Sequence, residues 1–181
     1  MSDSRDAGKE RGIRSVEVEK VLREEAGSDP APSRIQELAM TYVERGDADS
    51  RVDQRAALGA YATAVGMFEW LRARLGEGFT PDLEGRLARV HVKSSAMWGD
   101  LGDVAGALAA NDRAIAIWEA MRERQGSNFT SGMADNLGLA YLNRGVALRL
   151  TGKVLRGLVS QVRGTFLIKD RELLSKFWQI R

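Results

Sequence analysis

Cysteine is absent from this sequence. Disulfides, thiol catalysis and thiolate metal sites are therefore excluded. The one histidine, His91, has no second imidazole or thiol with which to share a metal ion, and its place on the apolar side of a predicted helix indicates a packing role. We expect no cofactor and no metal site.

The sequence also has little net charge and no long apolar run. Its formal net charge of +2 gives the whole molecule no strong electrostatic preference for nucleic acid or an anionic surface. No run of about 18 apolar residues is present, so we expect no membrane span. The first residues lack the apolar core of a secretion signal, and together with the absence of cysteine this predicts a cytoplasmic protein.

The length and composition of the chain suit one folded domain that follows a polar leader. The chain has 181 residues, of which 44% are apolar and 29% are charged. Residues 1–33 have too little apolar surface to offset an ordering entropy of about 1–2 kcal/mol per residue, and they predict a largely disordered leader. Helical repeats are predicted over residues 34–152, and a basic, amphipathic last helix is predicted over residues 153–181.

One stretch of the chain occurs twice, because residues 52–83 return as residues 102–133 at an offset of about 50. The residues that recur unchanged include Asp53, Ala57, Leu58, Ala60, Ala64, Glu69, Gly76, Phe79 and Thr80, which return as Asp103, Ala107, Leu108, Ala110, Ala114, Glu119, Gly126, Phe129 and Thr130. Similarity at a fixed offset indicates stacked structural units rather than a catalytic pocket. The recurring acids lie off the apolar positions, which predicts a solvated face.

Each copy has the pattern of an amphipathic helix that ends in glycine. Ala57, Tyr61 and Ala64 fall on one helical stripe, and Gly76 then supplies the positive φ that closes a helix at low cost. Ser33 and Gln36 resemble a capping box, which predicts a helix that starts near Arg34 and ends around the turn-forming residues 46–50. The whole pattern predicts six helices in three pairs, over residues 34–80, 81–130 and 131 onward, with the last helix running from Lys153 to the end.

The third pair resembles the tetratricopeptide repeat. Tyr141-Leu-Asn-Arg-Gly145-Val-Ala-Leu148, followed by a glycine at the turn, matches the first helix of that family in order, and the resemblance covers about residues 35–160. It implies an all-α fold in which three antiparallel helix pairs stack as a right-handed α-solenoid. The period near 50 differs from the usual period of about 34. Asn111 occupies a position where the family has an aromatic residue, and Gly157 and Gly164 replace alanines.

The resemblance implies a non-enzymatic scaffold or adaptor that binds a peptide or protein segment in its concave groove. The groove residues that we predict lie on the first helix of each pair, away from its packed side: Val43, Asp47, Arg89, Val92, Lys93, Ala96, Leu139, Leu142, Asn143, Val146 and Arg149. Arg89, Lys93 and Arg149 suit an acidic ligand. No small-molecule substrate is expected, and Asn111 is open to two interpretations, a buried polar contact or a groove residue.

The segment 153–181 is open to three interpretations. The first is a cap on the exposed end of the stack, the second is a basic amphipathic helix that docks on a partner or a membrane, and the third is a partly unfolded tail. An alternative function is self-assembly into a homo-oligomer through exposed Trp70, Phe177 and Trp178. Nucleic-acid binding through the basic end is the weakest hypothesis, because the net charge is small.

Overall fold

The structure is a computed structural model that describes residues 20–21, 24–25 and 30–179, with the backbone alone at Trp178 and Gln179. Most of the predicted leader therefore lies outside the described residues. Within the described part the chain is entirely helical and contains no strand, which confirms the predicted all-α class. Its helices are α1 (Pro32–Asp49), α2 (Gln54–Leu75), α3 (Pro81–Asp100), α4 (Val104–Gln125), α5 (Ser131–Leu150), α6 (Val154–Leu167) and α7 (Arg171–Gln179).

The recurring residues start and stop α2 and α4 in the same way. The Asp53 carboxylate accepts hydrogen bonds from the backbone N–H groups of Arg55 and Ala56, at 2.9 and 3.0 Å, and so satisfies two donors at the start of α2. Gly76 and Gly126 follow the two helices with φ of 53° and 54°. These positive values confirm that the glycines close the helices.

The start of α1 differs from the prediction, whereas its end does not. The helix begins at Pro32 and its N-cap, Ala31, makes no side-chain cap hydrogen bond, so the predicted capping box at Ser33 is wrong. Proline fits the first helical turn because its fixed φ is already helical and its missing N–H has no partner there. At the other end α1 runs to Asp49, within the predicted stretch 46–50, and Gly46 lies inside the helix at a close contact.

The chain divides into two compact units between Thr80 and Pro81. In the first unit α1 packs on α2. A Cβ atom at Gly46 would lie 2.4 Å from Cε1 of Tyr61, so only glycine allows α1 to approach that ring. Burial and the hydrogen bond that its hydroxyl donates to Asp47, at 2.7 Å, raise the pKa of Tyr61.

In the second unit α3 packs on α4, α4 on α5 and α5 on α6, and α3 also contacts α5. The largest buried side chain is Trp118, whose ring meets Phe129 edge-on with 6.4 Å between centroids. Ala88, Met121, Leu137 and Tyr141 complete this cluster. It joins residues of α3, α4 and α5 into one apolar core.

Glycines bring α5 and α6 into backbone contact. A Cβ atom at Gly145 would lie 2.7 Å from the carbonyl oxygen of Gly157, and one at Gly138 would lie 2.8 Å from that of Gly164. A Cβ atom at Gly157 or Gly164 would likewise lie 2.6 Å from the carbonyl oxygen of Gly145 or Gly138, so neither position has room for alanine. Ser160 adds a hydrogen bond that its hydroxyl donates to the carbonyl oxygen of Tyr141, at 2.8 Å.

The last helical segment is two helices and not one, so the predicted continuous helix from Lys153 is wrong. Helix α6 has 14 residues, whereas α2 and α4 each have 22. The Asp135 carboxylate on α5 accepts the backbone N–H of Lys169 at 2.6 Å, and Asp170 accepts the N–H groups of Glu172 and Leu173. These bonds stop α6 and start α7.

Candidate functional site

The two predicted groove residues of the first unit both take part in packing. Val43 is buried within α1. The Asp47 carboxylate is exposed and accepts the hydroxyl proton of Tyr61. Oδ1 of the Asp47 carboxylate, which a ligand would use here, therefore already accepts a hydrogen bond from Tyr61.

The other predicted groove residues, all in the second unit, differ in their accessibility. Six are half-buried, namely Arg89, Val92, Lys93, Leu139, Asn143 and Val146. Ala96 and Arg149 are exposed. Leu142 is 0% exposed, so it contributes to packing within the chain.

The face of α5 that carries three of these residues is covered by α7. Leu142 forms a buried cluster with Ile168 and Phe177. The partly buried side chains packed against this cluster are Leu139, Val146, Leu173 and Leu174. We name Leu139, Leu142 and Val146 the α5 surface. The chain's own C-terminal helix thus lies where the sequence predicted a ligand.

This contact also overturns part of the self-assembly hypothesis. Phe177 was predicted to be exposed, and it is only 8% exposed because it packs on the α5 surface. Trp70 is half-buried. The side chain of Trp178 lies outside the described residues.

The basic residues of α5 contact neighbouring helices. The Arg149 guanidinium donates to Oε1 of Gln161 at 3.3 Å, so this side chain lies against α6. Arg144 pairs with Asp112 of α4 at 2.5 Å. The charge of Arg149 is evident from the sequence, but its contact with Gln161 is not, because the two residues meet only when α6 packs on α5.

Asn111 is a buried polar contact, as one of its two interpretations proposed. Its side chain is fully buried, and Nδ2 donates to Oγ of Ser95 at 2.5 Å and to the carbonyl oxygen of Ala107 at 3.0 Å. Oδ1 has no hydrogen-bond partner within the part of the chain that the structure describes. Because Asn111 is enclosed by the helix pair, it does not line a ligand surface.

Sequence reasoning placed Glu119 on a solvated face, and the structure places it at the centre of a charged cluster instead. Its Oε1 accepts the Tyr141 hydroxyl at 2.9 Å and an Arg163 N–H at 2.8 Å, while Arg122 pairs with the same carboxylate. The Arg163 guanidinium lies 4.5 Å from the centroid of the Tyr141 ring. The cluster ties α4, α5 and α6 together.

The phenol of Tyr141 makes this cluster sensitive to alkaline pH. Burial, and then the hydrogen bond to Glu119, raise the pKa of Tyr141 from 10.0 to about 12. A raised folded-state pKa means that the native state holds the proton more tightly than the unfolded state. The stabilisation is therefore complete below about pH 10 and is lost as pH rises towards about 12.

We expect the Tyr141→Phe variant to lose this pH dependence. The wild-type urea midpoint should fall more steeply than that of Tyr141→Phe between about pH 10 and about pH 12. Urea denaturation followed by circular dichroism measures both midpoints. Parallel curves for the two proteins over this range would contradict the assignment.

The described residues contain no arrangement of three or more His, Asp or Glu side chains that could hold a metal ion. His91 is buried in α3, in keeping with a packing role. None of the helices described here is long and apolar enough to cross a membrane. Comparison of the chain with protein-family models, with curated proteins and with solved structures finds no match in any of the three.

Proposed function

We propose that this chain is a non-enzymatic protein-interaction module, a TPR-like α-solenoid that binds an amphipathic segment of another protein. The recurrence of buried positions supports the repeat. The buried residues of α4 include Ala107, Ala110, Asn111 and Ala114, and those of α6 are Gly157, Ser160, Gln161 and Gly164. The two sets are offset by the same interval that relates residues 52–83 to residues 102–133.

Antiparallel pairing is supported by the glycine contacts. Gly138 lies against Gly164, and Gly145 lies against Gly157. Residue numbers therefore rise along α5 as they fall along α6, which is the order expected for antiparallel neighbours joined by a short turn.

The observation that carries the functional proposal is the position of α7. This helix seats Leu173, Leu174 and Phe177 on the α5 surface. A surface that accepts a short amphipathic helix through aliphatic side chains is the basis of helix-in-groove recognition. We propose that α7 occupies in cis the surface on which the partner binds, and that the partner displaces it.

The ligand that we propose is an amphipathic segment with acidic residues. Its apolar side chains would replace those of α7 on the α5 surface. Arg89 and Lys93 lie on α3, which contacts α5. We propose that their cationic side chains favour carboxylates in the ligand. The proposed roles are therefore apolar anchoring by α5 and charge selection by α3.

The first test releases α7 within the full chain. Phe177→Asp should detach the helix, because a carboxylate buried against leucine would be strongly unfavourable. A labelled peptide of residues 168–181 should then bind this variant about tenfold or more tightly than wild type, since the competing segment is displaced. Fluorescence anisotropy measures the affinity.

The matched control is Lys176→Gln, which changes the net charge by the same amount at an exposed position of α7. It should bind the peptide as weakly as wild type. A second substitution, Val146→Asp, added to Phe177→Asp should abolish peptide binding. Equal peptide affinity for wild type and Phe177→Asp would rule out the α5 surface as the binding site.

A further inference from the structure

Helix α6 presents a stripe of large apolar side chains to solvent. Leu155, Val159, Val162 and Phe166 are 76%, 63%, 54% and 84% exposed. They are spaced four, three and four residues apart, so they lie on one face of the helix. We name these four residues the α6 stripe.

The helix cannot turn this stripe inward, because its opposite face is fixed against α5. Gly157 and Gly164 touch the α5 backbone, and Ser160 bonds to it. A rotation of α6 about its axis would break these contacts and bring larger side chains into a gap that admits only glycine. The exposure of the α6 stripe is therefore a property of the packed helix.

The preceding repeat shows that a further helix pair in the same register would leave the stripe uncovered. The positions of α4 that correspond to the stripe at the repeat offset are Ala105, Ala109, Asp112 and Ala116, and all four are exposed although α5 packs on α4. Asp112 pairs with Arg144 across the edge of that contact. At these solvent-facing positions α4 has small or acidic residues, whereas α6 has large apolar residues.

The charged residues of α6 and of the segments next to it in the chain all have one sign. No acidic residue occurs from residue 149 to residue 169, and the basic residues there are Arg149, Lys153, Arg156, Arg163 and Lys169. Arg163 is bonded to Glu119, whereas Lys153, Arg156 and Lys169, in or next to α6, are exposed. A second copy of α6 packed on the first would bring like charges together, so this pattern favours an anionic surface.

We propose that α6 docks in the plane of an anionic lipid surface, with the α6 stripe inserted at the boundary between headgroups and acyl chains. A helix with an apolar stripe and basic flanks binds membranes in this way without spanning them. The proposal concerns a different surface from the one that binds the partner segment. It gives the interaction module a second activity, recruitment of its ligand to a membrane.

The test is flotation of the full chain with vesicles of neutral phosphatidylcholine, or of phosphatidylcholine with about 30% phosphatidylglycerol. We expect binding to the anionic vesicles to exceed that to the neutral vesicles by about tenfold or more at low salt and to weaken as salt rises. Lys153→Gln should weaken binding by about fivefold, the contribution of one cation near the surface.

The apolar stripe is tested by Val159→Ser with Phe166→Ser. Both side chains are exposed, so the fold should be unchanged by circular dichroism, while vesicle binding should fall by about tenfold or more. The control is Ala109→Ser with Ala116→Ser, which introduces the same residue at the corresponding exposed positions of α4. It should leave vesicle binding unchanged.

The absence of cysteine allows the inserted face to be located directly. A polarity-sensitive dye on Phe166→Cys should shift to the blue with anionic vesicles, and the same dye on Ala116→Cys should not. Equal shifts at both positions, or no binding to anionic vesicles, would overturn the proposal. So would a lipid-free dimer that Val159→Ser with Phe166→Ser abolishes, because the stripe would then bind a second copy of the chain.

Discussion

Gly145→Ala should lower the free energy of unfolding by about 3 kcal/mol, the upper part of the range for overpacked cores. The added Cβ would lie 2.4 Å from Cγ of Gln161, 2.7 Å from the carbonyl oxygen of Gly157 and 3.0 Å from the backbone nitrogen of Gln161. The Gln161 side chain can move, whereas the two backbone atoms can move only if α6 shifts away from α5. Urea denaturation followed by circular dichroism measures the change.

The control for this variant is Gly132→Ala in the same helix. A Cβ atom there meets nothing within 4 Å, so the substitution should leave stability unchanged or raise it by about 0.5–1 kcal/mol through its effect on the unfolded chain. If both variants unfold at the wild-type urea concentration, the close approach of α5 and α6 is not what holds them together.

The second large effect is expected for Trp118→Ala, which should cost about 3–5 kcal/mol. Trp118 is only 1% exposed and lies between α3 and α5, against Ala88, Leu137 and Tyr141. Removing the indole leaves a cavity that the surrounding helices can fill only by moving. Thermal and urea unfolding of the variant, compared with wild type, give the loss.

Trp118→Phe separates packing from hydrogen bonding at this site. The indole Nε1 is buried and has no hydrogen-bond partner among the described residues, so its removal breaks no such bond. Phenylalanine keeps a ring against Phe129 and should cost clearly less than alanine. A loss for Trp118→Phe as large as that for Trp118→Ala would mean that a single ring packed against Phe129 does not stabilise this core.

The candidate site could be predicted from the sequence only in part. The apolar character of Leu139, Leu142 and Val146 was evident from the sequence, as was the amphipathic character of residues 171–179. The two segments meet only because the helix breaks between Leu167 and Arg171. Hydrogen bonds to Asp135, which lies far away along the chain, fix this break. A pattern of local periodicity contains no information about such a bond.

The same limit applies to the exposed stripe of α6. The sequence places the large apolar residues of this helix on one side and its small residues on the other; the large ones are Leu155, Leu158, Val159, Val162 and Phe166. Periodicity alone cannot decide which side is covered. Gly157 and Gly164 determine which side is covered, because the lack of side chains there allows their side of α6 to contact the α5 backbone.

The sequence by itself determined the all-α class, the offset of the repeat and the glycines that close α2 and α4, because helix propensity, apolar spacing and positive φ are local properties. Only the tertiary structure decided that α7 covers the α5 surface, that Glu119 joins three helices and that the α6 stripe faces solvent. These features depend on contacts between residues far apart in sequence. In α6 packing covers the side whose small residues let the helix backbones come closest, although the opposite side is more apolar.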